Sequence, residues 1–327
     1  MPNGNSYRKS MLAIRVHEFG GPEVLQLEDV GRPEPGPDEI LVRVMAAGVG
    51  PWDIAKRAGR LGGPLPYIPG GEFAGVVEGG TGAFASFDDG NPVYGYSGFP
   101  SLSGCYAQYV TCPVEQLAPV PLGLSLADAG AVPINALTAE QGLTDELNVG
   151  PGDLVLITAA AGGLGHLAVQ IARALGANVV ATASPHNHQF VHHLGASMVV
   201  DHTQPDWPDQ VRKATDGGVT KALAVAIPSL AGAAAAARDD AVIATPVSGT
   251  GDYPDQDRVT WRHYNGQARG SRLVRMGPWF ADGTLSPEVA HYPWQSAAEA
   301  HRVVGEGHTR GKVSLVVDDN LAASLDL

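Results

Sequence analysis

The apolar positions of this chain change rhythm once, near Ser125, and the change separates two kinds of structure. Before it, short apolar stretches alternate with glycine- and proline-rich connections. Residues 11–17 read as a strand, Gly20, Gly21 and Pro22 as a turn, and residues 25–30 as a second extended stretch. The proline-rich run 32–39 interrupts the pattern, and the strongly apolar residues 40–47 resume it. Further short strands are predicted at 73–78, 92–96 and 106–111, so the first third of the chain is mostly β.

After Ser125, residues 126–132 and 138–147 read as helices and residues 150–153 as a turn. Residues 154–158 (LVLIT) form a continuous apolar strand and residues 159–165 (AAAGGLG) a glycine-rich turn. A helix with apolar residues at helical spacing follows at 166–177, then a second strand at 178–184. Strand, turn, helix and strand make a βαβ unit, which predicts a parallel sheet. The alternation continues through helix 190–194, strand 198–201, helix 208–214, strand 222–227, an alanine-rich helix and strand 241–247. Beyond about Arg258 the pattern is less regular until an amphipathic helix at 296–306 and a last strand at 312–317.

The glycine-rich turn suits a dinucleotide. A pyrophosphate needs a helix N-terminus pointing at it and a backbone that can approach without side chains in the way. Ala160, Gly162 and Gly165 hold the required spacing right after the strand, with Gly163 and Leu164 inside the turn. The first glycine of the usual fingerprint is alanine here. Cofactor choice follows from the end of the second strand, where NAD-binding units place a carboxylate to grip the ribose. This chain has Thr182, Ala183 and Ser184 there, without an acid in the next several positions, which favours NADPH. Ser184, His186, Asn187 and His188 are candidate donors to its 2′-phosphate.

Composition removes several alternatives. A formal net charge of −13 and the lack of a Lys/Arg run argue against nucleic-acid binding. With only Cys105 and Cys112, no disulfide framework exists, and no run of roughly 18 apolar residues suggests a membrane span. The first ten residues lack the apolar core of a signal peptide, and the cytoplasm is the expected location. On one straight strand the two cysteines would face opposite sides roughly 23 Å apart, unable to share a metal.

Beyond these local signals the chain resembles the zinc-independent quinone oxidoreductase (zeta-crystallin-like) branch of the medium-chain dehydrogenase/reductase superfamily. The resemblance runs through HEFGGPEVLQLEDV, AAGVGPWD, YIPGGEFAGVV, GCYAQYV, ALTAEQGL, GDLVLITAAAGGLGHLAVQIARALGA and AAEAHRVVGEGHTRGKVSLVV. It implies an α/β fold with a GroES-like β-barrel catalytic domain (residues 11–133 and 266–327) and a Rossmann NADPH-binding domain (134–265), after a disordered leader at 1–10. It also implies an active site in the cleft between the domains, frequent homodimers and a small-molecule substrate. The expected activity is hydride transfer from NADPH to a quinone or enone without metal. Zinc-dependent members carry an early Cys and a His-Glu pair, where this chain has residues 48–53 and Gly70-Gly71-Glu72.

On the same resemblance, Thr138 is a nicotinamide-side contact and His202 stands where some relatives have a tyrosine near the adenosine phosphate. Trp52, Tyr67, Tyr94 and Tyr96 are candidate substrate contacts, their rings suited to stacking on a flat acceptor. Asp53 matches the family's Asp and is read as capping the following helix. Departures gather on the nicotinamide half. Gly50 replaces an Asn, Ala55 a Tyr, and Ala224 with Ile227-Pro228 replaces an Asp and a Gly-Gly pair. A reshaped pocket for an unusual substrate is one reading of them. A non-redox lyase, cyclase or nucleotide-sensing protein on the same scaffold is the other.

Overall fold

The structure is a computed structural model and describes residues 10–79, 87–98, 103–247 and 253–325. The leader expected at 1–10 lies outside the described residues except for Ser10, which opens the first strand. The chain divides into two units. The first comprises Met1–Ile134, Ala268–Gly277 and Val289–Leu327, and the second Asn135–Gln267 and Pro278–Glu288.

The first unit begins with an antiparallel pair, β1 (Ser10–Arg15) and β2 (Gln26–Gly31). The near-continuous apolar run then forms β3 (Glu39–Val49), which is long enough to pair with several partners. After α1 (Pro51–Arg57) come β4 (Glu72–Gly79), β5 (Pro92–Tyr96), β6 (Tyr109–Pro113) and β7 (Leu117–Pro119). Helix α2 (Leu126–Ala129) is shorter than the apolar pattern predicts. Ser125 caps it by accepting the Asp128 amide at 3.1 Å, and Gly130 ends it against the Ala46 backbone. Helix α3 (Pro133–Gln141) runs into a single wide turn, Gly142–Glu146.

The second unit is built on parallel strands. They are β8 (Leu154–Ile157), β9 (Asn178–Ala183), β10 (Met198–Asp201), β11 (Val219–Leu223), β12 (Ala237–Thr245) and β13 (Thr260–His263). Helices α4 (Gly165–Ala174), α5 (His188–His193), α6 (Trp207–Ala214) and α7 (Leu230–Ala236) connect them. The spatial order is β10-β9-β8-β11-β12-β13, every pairing parallel. This is the doubly wound dinucleotide-binding order, with its switch point between β8 and β11. The strand predicted at 222–227 stops at Leu223. The Thr158 hydroxyl takes the Val225 amide out of the ladder at 3.0 Å, and Pro228 has no amide to offer.

The chain then returns to the first unit through α8 (Gly270–Ala281), β14 (Val289–Pro293), α9 (Ala297–Gly305), β15 (Lys312–Val316) and α10 (Asp319–Ser324). Strand β15 joins β3 antiparallel and β14 parallel, completing a seven-stranded sheet ordered β14-β15-β3-β4-β5-β7, with β6 against the other part of β3. Its core gathers Ile40, Val42, Phe73 and Val93 from the first segment of the unit and Trp294 and Leu315 from the last.

The strand predicted at 106–111 sits later, at Tyr109–Pro113. The backbone of residues 105–108 bonds instead to Gly70 and Pro69, to Ile14 and Leu12 of β1, and to Val44 of β3. Cys105 and Cys112 therefore do not share one straight strand, and the expected 23 Å separation does not apply. Both are buried in the same core, and Cys112 adds to the burial that pushes the Cys105 thiol up.

Candidate active site

At the switch point of the second unit the backbone leaves β8 and doubles back on itself. Ala159 takes a left-handed φ of 48°, and its amide donates to the Thr182 hydroxyl at 3.1 Å. The Ala160 amide donates to the Thr182 carbonyl at 2.9 Å, fastening the start of the turn to β9. Gly165 is required by contact, because a Cβ there would lie 2.2 Å from the Ala159 oxygen. Gly162, Gly163 and Leu164 stay partly open to solvent while Ala160 and Gly165 are buried, so the turn presents backbone outward at the mouth of α4.

Three residues that sequence reasoning missed, Thr158, Ser229 and His166, stabilise this place. The Thr158 hydroxyl meets the Ser229 hydroxyl at 2.7 Å and accepts the Val225 amide, so one side chain ties the ends of β8 and β11 together. His166, on the first turn of α4, meets the Gly162 carbonyl through Nδ1 at 2.9 Å and accepts the Glu288 amide through Nε2 at 3.3 Å. A hydroxyl at the strand end was the available signal for Thr158; nothing local pointed to Ser229.

The end of β9 lies directly beside the end of β10, with Ala183 in register with Asp201. Ser184 and His202, 18 residues apart, approach to 3.2 Å. His186 pairs with Asn187 at 3.2 Å, and His188 with the Ala183 carbonyl at 3.1 Å. An acid thus stands beside the strand end in space, although none follows it in sequence. Its oxygens are already taken: Asp201 accepts from the Thr203 amide and hydroxyl and from Gln204, which holds its carboxyl below the usual range. Thr138 is buried; its carbonyl accepts from Tyr264, and a Cβ at Gly266 would lie 2.3 Å from its hydroxyl.

In the first unit the chemistry-bearing residues surround the start of α1. Asp53 is at the third helical position and reaches back to accept the Gly50 amide at 2.9 Å, so it caps from inside the helix. Its other oxygen makes no hydrogen bond, with the Gly70 amide nearby but short of bonding geometry. Burial pushes this carboxyl up to about 7; the Gly50 amide and Lys312 oppose the rise, and Glu72 adds to it. Glu72 and Lys312 pair at 2.8 Å, Glu72 also accepts the Ile134 amide at 2.7 Å, and the Lys312 ammonium sits 4.8 Å from the centre of the Trp52 ring.

Tyr67 carries Lys56 over its ring at 4.9 Å, and its hydroxyl has no partner. Burial, with the nearby Asp53, raises its pKa to about 12. Tyr96 is buried and raised to about 12 by the same cause and by Glu72. Tyr94 is fully buried, its hydroxyl directed at the Leu273 carbonyl at 3.4 Å. His301, Tyr106 and Arg57 extend the cluster. The Tyr106 hydroxyl and His301 Nε2 are 3.1 Å apart, and burial together with Arg57 lowers His301 to about 3. Among the described residues, no group of three or more His, Cys, Asp or Glu side chains is placed to hold a metal ion. No helix among them is long and apolar enough to cross a membrane.

Two family models match the chain, one in each unit. Residues 36–122 match the alcohol dehydrogenase GroES-like domain and residues 163–245 the zinc-binding dehydrogenase domain. The NADPH-dependent alkenal/one oxidoreductase of Arabidopsis thaliana chloroplasts is 30% identical over 327 residues, covering 94% of this chain and 80% of that protein. The quinone oxidoreductase of Pongo abelii is 37% identical over 210 residues, 63% of each chain. This chain belongs to the quinone oxidoreductase branch of the medium-chain dehydrogenase/reductases. The quinone oxidoreductase of Coxiella burnetii agrees in structure as well, with a TM-score of 0.87 at 30% identity over 95% of this chain and all of that one. The match to the first mammalian relatives spans less than two thirds of their length. Within this branch, the GroES-like part of the chain is the first unit and the doubly wound part the second.

Proposed function

We propose that the chain is an NADPH-dependent reductase that transfers hydride, without a metal, to a quinone or an α,β-unsaturated carbonyl. The observation that carries this reading is the switch point of the second unit. An open glycine turn at the mouth of α4 lies next to a strand end where Ser184 and His202 are paired and a neighbouring carboxylate, Asp201, is occupied by its own loop. That donor set fits a 2′-phosphate better than a free ribose, and the glycines fit a pyrophosphate.

NADPH supplies the hydride when bound; the residues of the chain bind, orient and donate. Ala160, Gly162, Gly163, Leu164 and Gly165 would hold the pyrophosphate through their backbone, and Ser184, His186, Asn187 and His202 the 2′-phosphate. Thr138 would stand on the nicotinamide side. In the first unit the Trp52 and Tyr96 rings would contact the acceptor, with Asp53 fixing the loop that carries Trp52. The acceptor oxygen gains negative charge as hydride arrives and needs a hydrogen-bond donor. Tyr67, raised to about 12 and without a partner, is protonated at neutral pH and suited to that role. A homodimer in the cytoplasm completes the reading, supported by the family resemblance.

Titration with NADPH and separately with NADH, followed by nicotinamide fluorescence, tests it. Tight NADPH and weak NADH binding, with NADPH oxidation on adding a quinone or enone, is the expected result. Equal affinity for both would overturn the 2′-phosphate assignment. Absence of binding to either would overturn the reductase reading itself.

A further inference from the structure

Gly50 and Trp52 compete for one volume. The backbone at Gly50 is extended, φ −134° and ψ 168°, a conformation any residue adopts, so glycine is not there to satisfy a dihedral angle. The reason is contact: a Cβ at Gly50 would lie 2.2, 2.4 and 2.5 Å from three carbons of the Trp52 indole. The end of a free side chain would swing away from such a clash. Trp52 is not free.

Its ring is held by the Lys312 ammonium 4.8 Å from the ring centre. Lys312 is tethered to Glu72 at 2.8 Å, and Glu72 to the Ile134 amide at 2.7 Å. The backbone on either side is fixed as well, because Asp53 binds the Gly50 amide. The indole N–H is buried, and Trp52 as a whole is half-buried.

We propose that Trp52 is the specificity-determining residue for the electron acceptor. The indole, standing where a side chain at position 50 would project, is a flat apolar wall that favours planar fused-ring acceptors over short-chain enones. This rests on the reductase reading above and adds the selectivity of its acceptor site. The bulk at positions 50 and 52 is exchangeable: one position is large only when the other is small.

The test compares menadione, a two-ring quinone, with pent-3-en-2-one, a short linear enone, in the wild type, Trp52→Phe and Trp52→Ala. NADPH affinity is measured in parallel. For Trp52→Ala the kcat/KM ratio of quinone to enone is expected to fall about tenfold, carried by KM, with Trp52→Phe in between and NADPH affinity unchanged. Gly50→Asn is expected to lower the melting temperature in the wild-type background and to be tolerated in Trp52→Ala. Equal loss on both acceptors, or an unchanged ratio, overturns the proposal while leaving the reductase reading intact. A wild type that binds no NADPH or reduces neither acceptor overturns both. Trp52→Phe, which keeps a ring in place, settles the ratio if Trp52→Ala does not fold.

Discussion

Lys312 and Glu72, 240 residues apart in sequence, form an ion pair 2.8 Å long with only 3% and 0% of their side chains exposed. Neither charge has water to fall back on, so losing one partner strands the other. Glu72→Ala or Lys312→Ala is expected to lower the unfolding free energy by about 3–5 kcal/mol. The double variant Glu72→Ala/Lys312→Ala is expected to lose less than the sum of the two single losses. Urea denaturation of the four proteins in a double-mutant cycle checks this, and additive losses would show that the pair is not coupled.

Asp53 titrates against the usual direction for a carboxylate. Its folded pKa of about 7 lies above the reference 3.8, so the folded protein holds a proton that the unfolded chain releases. Its contribution to stability is present below about pH 4 and is lost as pH rises through about 7. Asp53→Asn keeps an oxygen for the Gly50 amide and removes the titration. The stability of this variant relative to wild type is expected to grow by up to about 1.4 kcal/mol per pH unit across that window, levelling off above it. Chemical denaturation at pH 4, 5.5 and 8 measures the slope, and a flat difference would place the Asp53 pKa near its ordinary value.

His301 runs the other way. Its folded pKa of about 3 lies below the reference 6.5, so its contribution is present above about pH 6.5 and is lost as pH falls toward 3. His301→Gln is expected to make the protein less sensitive to acid in that range, at some cost in stability at neutral pH. Between about pH 4 and 6.5 the slopes of Asp53 and His301 oppose each other, and each single variant unmasks the other residue. Proton uptake on unfolding, measured in weakly buffered solution at pH 5.5, is expected to change sign between the two variants.

Gly165→Ala places a methyl group 2.2 Å from the Ala159 oxygen. The turn must open to admit it, which moves the backbone that would face the pyrophosphate. NADPH affinity is expected to fall at least about tenfold with the fold of the first unit kept. Fluorescence titration alongside circular dichroism checks this, and unchanged affinity would detach the cofactor from the turn.

Much of the second unit was legible because its signals are local. Met198–Asp201 coincides with its predicted bounds, as Pro92–Tyr96 does in the first unit, and the strand–glycine–helix run around Gly162 was readable residue by residue. What was missed depends on partners distant in sequence. Thr260–His263 is short and polar, and only its place beside β12 makes it a strand. The resemblance supplied Trp52 and Asp53 as candidates. The anchoring of Trp52 by Lys312, and the meeting of His202 with Ser184, follow from sheet order and register, which no local pattern encodes.

The sheet of the first unit draws on both ends of the chain, and this sets an order of events during synthesis. Glu72 leaves the ribosome 240 residues before Lys312, an interval of roughly ten seconds to most of a minute at about 5–20 residues per second. Through that interval the end of β3 that β15 will cover is an open sheet edge, and the carboxylate destined for burial remains in water. Residues 135–267 of the second unit are all made in the meantime. The unit that starts first is therefore the last to close.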